Sequence, residues 1–192
     1  EWDDGIDGPT PVTECRAVTA RSIISRNTSP DIPFEQSINP YQGCEHGCIY
    51  CYARPSHAYL DMSPGMDFET RLTYKVNAAV QLEHELARPG YRCASITLGA
   101  NTDPYQPVEK NHRITREVLQ VLQRYRHPIS IITKGALIAR DIDILSAMAA
   151  DGLCSVAISL TTLDARLKRL MEPRAASHQA RLETMKLLNK AG

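Results

Sequence analysis

The chain has 192 residues, 43% of them hydrophobic and 23% charged, the make-up of one globular domain with its own core rather than of a disordered segment. Lysine plus arginine and aspartate plus glutamate each number 22, so the formal net charge is zero; nucleic acid is a possible partner, but no basic excess announces it. No stretch approaches the roughly eighteen unbroken apolar residues of a membrane helix, and no signal-peptide pattern opens the chain, so neither membrane nor export is expected.

Residues 1–36 are rich in Asp, Pro, Thr and Ser and show no sustained apolar period. They read as an extended N-terminal arm without chemistry of its own, followed by a core over 37–192. Ser37–Tyr41 reads as a short strand leading into a cysteine loop. Leu72, Val76, Ala79, Val80 and Leu86 follow a helical period, and Pro89-Gly90 stops it before a buried strand at Ala94–Leu98. The unit then recurs. Ile114, Val118, Val121, Leu122 and Tyr125 form a helical stripe, and Pro128–Thr133 is the next strand. Asp141 is placed to cap a helix carrying Ile142, Leu145 and Met148. Ser155–Leu160 is a fourth strand, and Leu182, Met185 and Leu188 lie on a final helix.

Alternation of strand and helix at these spacings specifies an α/β fold with a parallel sheet and right-handed crossovers. In a curved parallel sheet, chemistry collects beyond the C-terminal ends of the strands. The polar clusters fall there: CEHGCIYC at 44–51, GANTDPYQPVE at 99–109, Thr133-Lys134-Gly135, and Ser159 with Thr161 and Thr162. Loops are polar in general, but that rule does not place a cluster at the same end of four successive strands. Four parallel strands also leave an edge open where the chain stops at Gly192, so a further part completing a barrel is expected.

Six cysteines are present, three of them within eight residues as CxxxCxxC. That spacing reads as metal ligation in a reducing compartment, hence the cytoplasm. Three close thiolates are soft ligands that can hold three irons of a cubane and leave the fourth open for chemistry. Gly47 allows the loop to wrap tightly, because glycine tolerates positive φ. Zinc is the structural alternative with His46 as a fourth ligand, although Cys-x-His-x-Cys seats that histidine awkwardly. An electron-transfer cluster would normally show a fourth cysteine. Cys15, Cys93 and Cys154 stand alone and read as core residues.

The cysteine loop, with Tyr50 before its last cysteine and Tyr52 after it, resembles the signature of the radical S-adenosylmethionine (SAM) superfamily. TDPYQPVE at 102–109, ITKG at 132–135, AISLTTLD at 157–164 and EPRAASHQARLE at 172–183 resemble, more narrowly, the branch containing spore photoproduct lyase. The resemblance implies a partial (β/α)6 barrel with about four β/α units present and the C-terminal part missing. It implies a [4Fe–4S] cluster on Cys44, Cys48 and Cys51, which are thereby the catalytic cysteines, with SAM chelating the fourth iron. Tyr50 then matches the aromatic beside the adenine, with Tyr52 next to it in the cofactor site. Thr102 matches a hydroxyl near the SAM methionine, and Lys134 and Ser159 match residues that bind its carboxylate or ribose. Asn101 and Asp103 are neighbours of the same site, while Arg174 reads as solvent-exposed. The implied reaction is reductive cleavage of SAM to a 5′-deoxyadenosyl radical that abstracts hydrogen from an unidentified substrate, driven by a one-electron donor of flavodoxin or ferredoxin type. A DNA-lesion lyase is the alternative within that branch. The lyase returns hydrogen from a cysteine three residues before the aspartate of its second-strand motif, and the matching position here is Ala100.

Overall fold

The structure, a computed structural model, describes residues 12–192; the first part of the expected arm, residues 1–11, lies outside the described residues. The rest of that segment is built into the fold. Strand β1 (Glu14–Val18) pairs in parallel with β5 (Arg71–Lys75), and β2 (Ile24–Arg26) pairs antiparallel with β3 (Gln36–Ile38). Buried Glu85 accepts the N–H groups of Ile23 and Ile24 at 2.7 and 3.2 Å. Asn77 meets both the N–H and the C=O of Ala20 at 2.8 Å. Backbone pairing and two polar side chains hold the segment, which is why hydropathy does not reveal it.

The expected strand at 37–41 is two strands. β3 ends at Ile38, and β4 (Tyr41–Gln42) leaves for the other sheet to pair with β5; Pro40, with no N–H, sits at the break. After a 3₁₀ segment at Arg54–Leu60 comes α1 (Asp67–Thr70), then β5, then α2 (Ala78–Leu86). The helical stripe expected from Leu72 therefore starts too early. Arg71–Lys75 reads RLTYK, alternating polar and apolar, and strands on both sides claim it.

The remaining order is β6 (Ile96–Leu98), α3 (Glu109–His112), α4 (Ile114–Arg124), β7 (Ile129–Thr133), a 3₁₀ segment at Ala136–Asp141, α5 (Ile142–Ala150), β8 (Cys154–Ile158), α6 (Ala165–Met171) and α7 (His178–Ala191). The larger sheet has the order β2-β3-β6-β7-β8, with β3, β6, β7 and β8 mutually parallel. This is the expected partial α/β barrel, with an antiparallel strand added at one edge. Register explains its two faces. Ile24, Ile38, Leu98, Ile131 and Val156 form one row across the five strands and pack with Leu82, Val118, Leu122, Leu145 and Met148 of the covering helices. Ser25, Ser37, Thr97, Ser130 and Ser155 form the adjacent row, which the pleat turns to the opposite, concave face. Asp141 precedes α5 but caps nothing with its side chain. Fully buried, it pairs instead with Arg116 and Arg140, both at 2.8 Å.

Candidate metal centre and active site

The loops after β4, β6, β7 and β8 converge on one cavity. The first supplies Cys44, Cys48, Cys51, His46 and Tyr52; the second supplies Gly99, Asn101 and Asp103; the third and fourth supply Lys134 and Ser159. The three thiols share this cavity without converging, among the described residues, on a single-ion position. A cubane carries its thiolates on separate irons, so the donor set fits that group. Burial, opposed in part by Lys134, raises the Cys48 thiol to about 12. Burial also raises Cys51. Burial thus disfavours both thiolates, and a bound cation such as a metal cluster would favour them.

Gly47 has φ +65°, as its place in the loop requires. A Cβ there would lie 2.5 Å from Nη2 of Arg174 and 2.6 Å from Oε2 of Glu69. Cys44 donates its N–H to the Phe68 carbonyl at 2.8 Å, and the Glu45 N–H goes to Oε1 of Gln106 at 2.9 Å. Gln106 returns a bond to the Gly43 carbonyl at 3.1 Å, and Glu45 accepts from the Val108 N–H at 2.7 Å. The QPV part of the second-strand motif thus braces the cysteine loop.

The structure divides the remaining sequence-derived residues by role. Lys134 points its ammonium over the Tyr50 ring, 5.7 Å from the centroid, and has no carboxylate partner among the described residues. Ser159 lines the cavity, while its backbone is held by the Thr133 carbonyl and Nη1 of Arg181, both at 2.8 Å. Asn101 reaches Ser56 at 3.4 Å. Tyr52, largely exposed, donates to the Ala100 carbonyl and forms part of the rim. Tyr50 bonds Glu172 and lies 3.1 Å from the Thr161 hydroxyl. Thr102 is buried, and its hydroxyl donates to the Tyr41 carbonyl at 2.9 Å; it is absent from the cavity lining and holds the loop base. Asp103 is fully engaged, accepting from Thr133 Oγ1 at 2.5 Å and from the N–H groups of Lys134 and Tyr105 at 2.7 and 2.9 Å.

His46 closes this network, with Nδ1 3.4 Å from Asp103. Burial disfavours its cation, but Asp103 and Cys44 outweigh burial and raise it to about 10. Burial likewise disfavours the Asp103 anion, yet His46 and the hydrogen-bond donors hold this carboxyl below its ordinary value. Asp103 is thus the strut that ties the second and third strand ends to the cysteine loop.

Five supporting residues escaped the sequence reading. Arg174 is not solvent-exposed: it bonds Glu69 and the Glu45 carbonyl, and its own N–H meets the His46 carbonyl at 3.2 Å. Glu172 and Arg181, 0% and 1% exposed, form a buried ion pair. Glu69 and Arg54 form another pair behind the loop. The EPRAASHQARLE pattern contained Glu172, Arg174 and Arg181, but nothing in it revealed that Glu172 meets Tyr50 and Arg174 meets Glu69, each more than a hundred residues away. A larger groove of about 470 Å³, lined by Leu145, Val156, Met185 and Leu188, carries no charged side chain and lies away from these groups.

A parallel α/β sheet whose strand ends gather three loop cysteines, an aromatic and a lysine defines a metal-dependent barrel enzyme class. The chain belongs to the Radical SAM superfamily, whose pattern matches residues 38–192. It is 42% identical over 161 residues to an uncharacterised protein of Mycobacterium tuberculosis, covering 84% of this chain and 47% of that one. An uncharacterised protein of Methanocaldococcus jannaschii is 27% identical over 155 residues, covering 81% and 55%. The chain thus spans about half the length of these curated relatives. Its fold resembles spore photoproduct lyase complexed with dinucleoside spore photoproduct, at TM-score 0.66 and 16% identity, over 93% of this chain and 48% of the lyase. A lyase variant with bound AdoMet and the same dinucleoside gives 0.64 at 16% identity with the same coverage.

Proposed function

We propose that this chain is the cluster-bearing part of a radical SAM enzyme, with Cys44, Cys48 and Cys51 holding a [4Fe–4S] cluster and SAM completing its open iron. The observation that carries the reading is the convergence of four strand-end loops on one cavity holding the three thiols and Lys134. When bound, the two cofactors supply reductive cleavage of SAM and a 5′-deoxyadenosyl radical for hydrogen abstraction. Lys134 pairs with the SAM carboxylate, a charge-assisted contact for a cation that has no carboxylate partner among the described residues. The Tyr50 ring offers a stacking face to the adenine. Ser159 and Asn101 orient polar groups of SAM, and Tyr52 at the rim limits access of water. A one-electron donor of flavodoxin or ferredoxin type supplies the electron, and three free thiols in one loop suit the reducing cytoplasm. Among the described residues no helix is long and apolar enough to cross a membrane.

The reading is tested by anaerobic reconstitution of the full-length protein and a dithionite-driven assay for 5′-deoxyadenosine. Lys134→Ala is expected to weaken SAM binding ten- to a hundredfold, about 1.5–3 kcal/mol for one charge-assisted contact, with iron content unchanged. Unaltered SAM affinity in that variant removes Lys134 from the site.

The reaction we propose is not repair of the thymine spore lesion. Ala100 occupies the position at which the lyase carries its hydrogen-returning cysteine, and its side chain has no S–H to give. Cys93 lies before β6, at the end away from the cavity, so the three-residue strand and its flanks, about 3.3 Å per residue, separate it from the site. Incubating the full-length protein with SAM, reductant and lesion-containing DNA should give little repair and slow uncoupled 5′-deoxyadenosine. Clean multiple-turnover repair to two thymines overturns this part.

A further inference from the structure

We infer that Glu69 and Arg174, braced by Arg54, form a clasp that turns the amide groups of His46 and Gly47 toward the cluster and thereby sets its reduction potential, with Glu69 as the positioning residue. The inference rests on the cluster reading above. Carbonyl oxygens of the loop are held by two arginines that lie outside the cavity lining. The Cys48 carbonyl accepts from Nε and Nη2 of Arg54 at 3.2 and 3.0 Å. The Glu45 carbonyl accepts from Nε of Arg174, and the His46 carbonyl from the Arg174 backbone N–H at 3.2 Å. Glu69, a buried residue, binds Arg54 through one oxygen and Arg174 through the other. The helix that carries Glu69 also anchors the loop, through the Phe68 carbonyl and the Cys44 N–H.

A trans peptide directs its N–H opposite to its C=O. Fixing the carbonyls of Glu45 and His46 on Arg174 therefore directs the N–H groups of His46 and Gly47 the other way. His46, Gly47 and Cys48 are buried, and among the described residues none of their N–H groups makes a backbone hydrogen bond of ordinary geometry. Buried N–H groups are rarely left unpaired. Successive N–H groups around a left-handed residue, here Gly47 at φ +65°, form a concavity that favours an anion. A cluster bearing three thiolates is such an anion, and N–H donors to its sulfurs favour the reduced form. Gly47 is also where the clasp packs against the loop, because any Cβ there would strike both Arg174 and Glu69.

The test uses two variants that keep the charge count. Arg174→Lys retains the cation but loses the fork, and Gly47→Ala puts a methyl group into the clasp while also straining the left-handed backbone at that position. Hydrogen exchange over residues 44–51 is measured on the full-length apo protein, and the midpoint potential on the same protein after anaerobic reconstitution. Both variants should speed exchange at least tenfold. Both should also lower the potential by a tenfold change in the reduction equilibrium, about 59 mV for a one-electron couple. Glu69→Gln should speed exchange in the same way. A variant that loosens the apo loop and then fails to retain iron also supports the clasp. Unchanged exchange in the charge-conserving variants overturns it, as does an unchanged potential in variants that load iron normally. A wild-type protein that binds no iron overturns the cluster reading instead, while exchange in the apo protein still tests the clasp.

Discussion

Replacing Cys44, Cys48 or Cys51 by Ala is expected to abolish a complement of about four irons per chain, together with the reducible cubane signal. Each of the three thiols lines the same cavity, and two thiolates do not retain a cluster that must also leave one iron open. The loss should be complete for every single variant. Cys15 on β1, Cys154 on β8 and the exposed Cys93 line no part of that cavity, so their replacement should leave iron content and SAM cleavage intact. Metal analysis and electron paramagnetic resonance of dithionite-reduced, anaerobically prepared protein decide the matter. Stoichiometric zinc without iron after such preparation would sink the cluster assignment.

The second large effect concerns the Glu172–Arg181 pair. Arg181→Met leaves the Glu172 carboxylate fully buried beside a neutral side chain, and breaking such a pair costs about 3–5 kcal/mol. Burial disfavours the Glu172 anion, but its bonds to Thr161, Tyr50 and Arg181 together hold the carboxyl below its ordinary value. It is therefore charged at neutral pH in the intact protein, and removing the guanidinium takes away one of the groups that keep it so. Arg181 also releases the Ser159 and Ala176 carbonyls, which it holds at 2.8 and 2.9 Å. The double variant Arg181→Met with Glu172→Leu should recover much of the loss, because no charge is then stranded. Its Tyr50 hydroxyl loses an acceptor, so SAM binding should not recover in parallel. Denaturant unfolding of the four proteins measures the cycle. A single-variant loss under about 1 kcal/mol would show that solvent reaches the pair.

Sequence alone determined the elements whose signal is local. The helix at Ile114–Arg124 and the strands around residues 96–98, 129–133 and 154–158 were legible because periodicity is a property of neighbouring residues. The CxxxCxxC loop was legible for the same reason, as were the polar strand ends. Tertiary structure decided what depends on partners distant along the chain. Arg71–Lys75 is a strand because Glu14–Val18 and Tyr41–Gln42 pair with it, and no window around residue 72 contains that fact. Asp141 stands where a helix cap stands, but Arg116 of α4, together with the neighbouring Arg140, takes its carboxylate. Thr102 and Asp103 lie together in one motif, yet the fold buries the first hydroxyl against Tyr41 and aims the second residue at His46 and Thr133. The arginines that hold the cysteine loop, at positions 54 and 174, meet through Glu69. Hydrogen bonds and ion pairs act over about 3 Å of space, whatever the separation along the chain, so the sequence specified the cysteine loop while the fold alone specified what holds it in place.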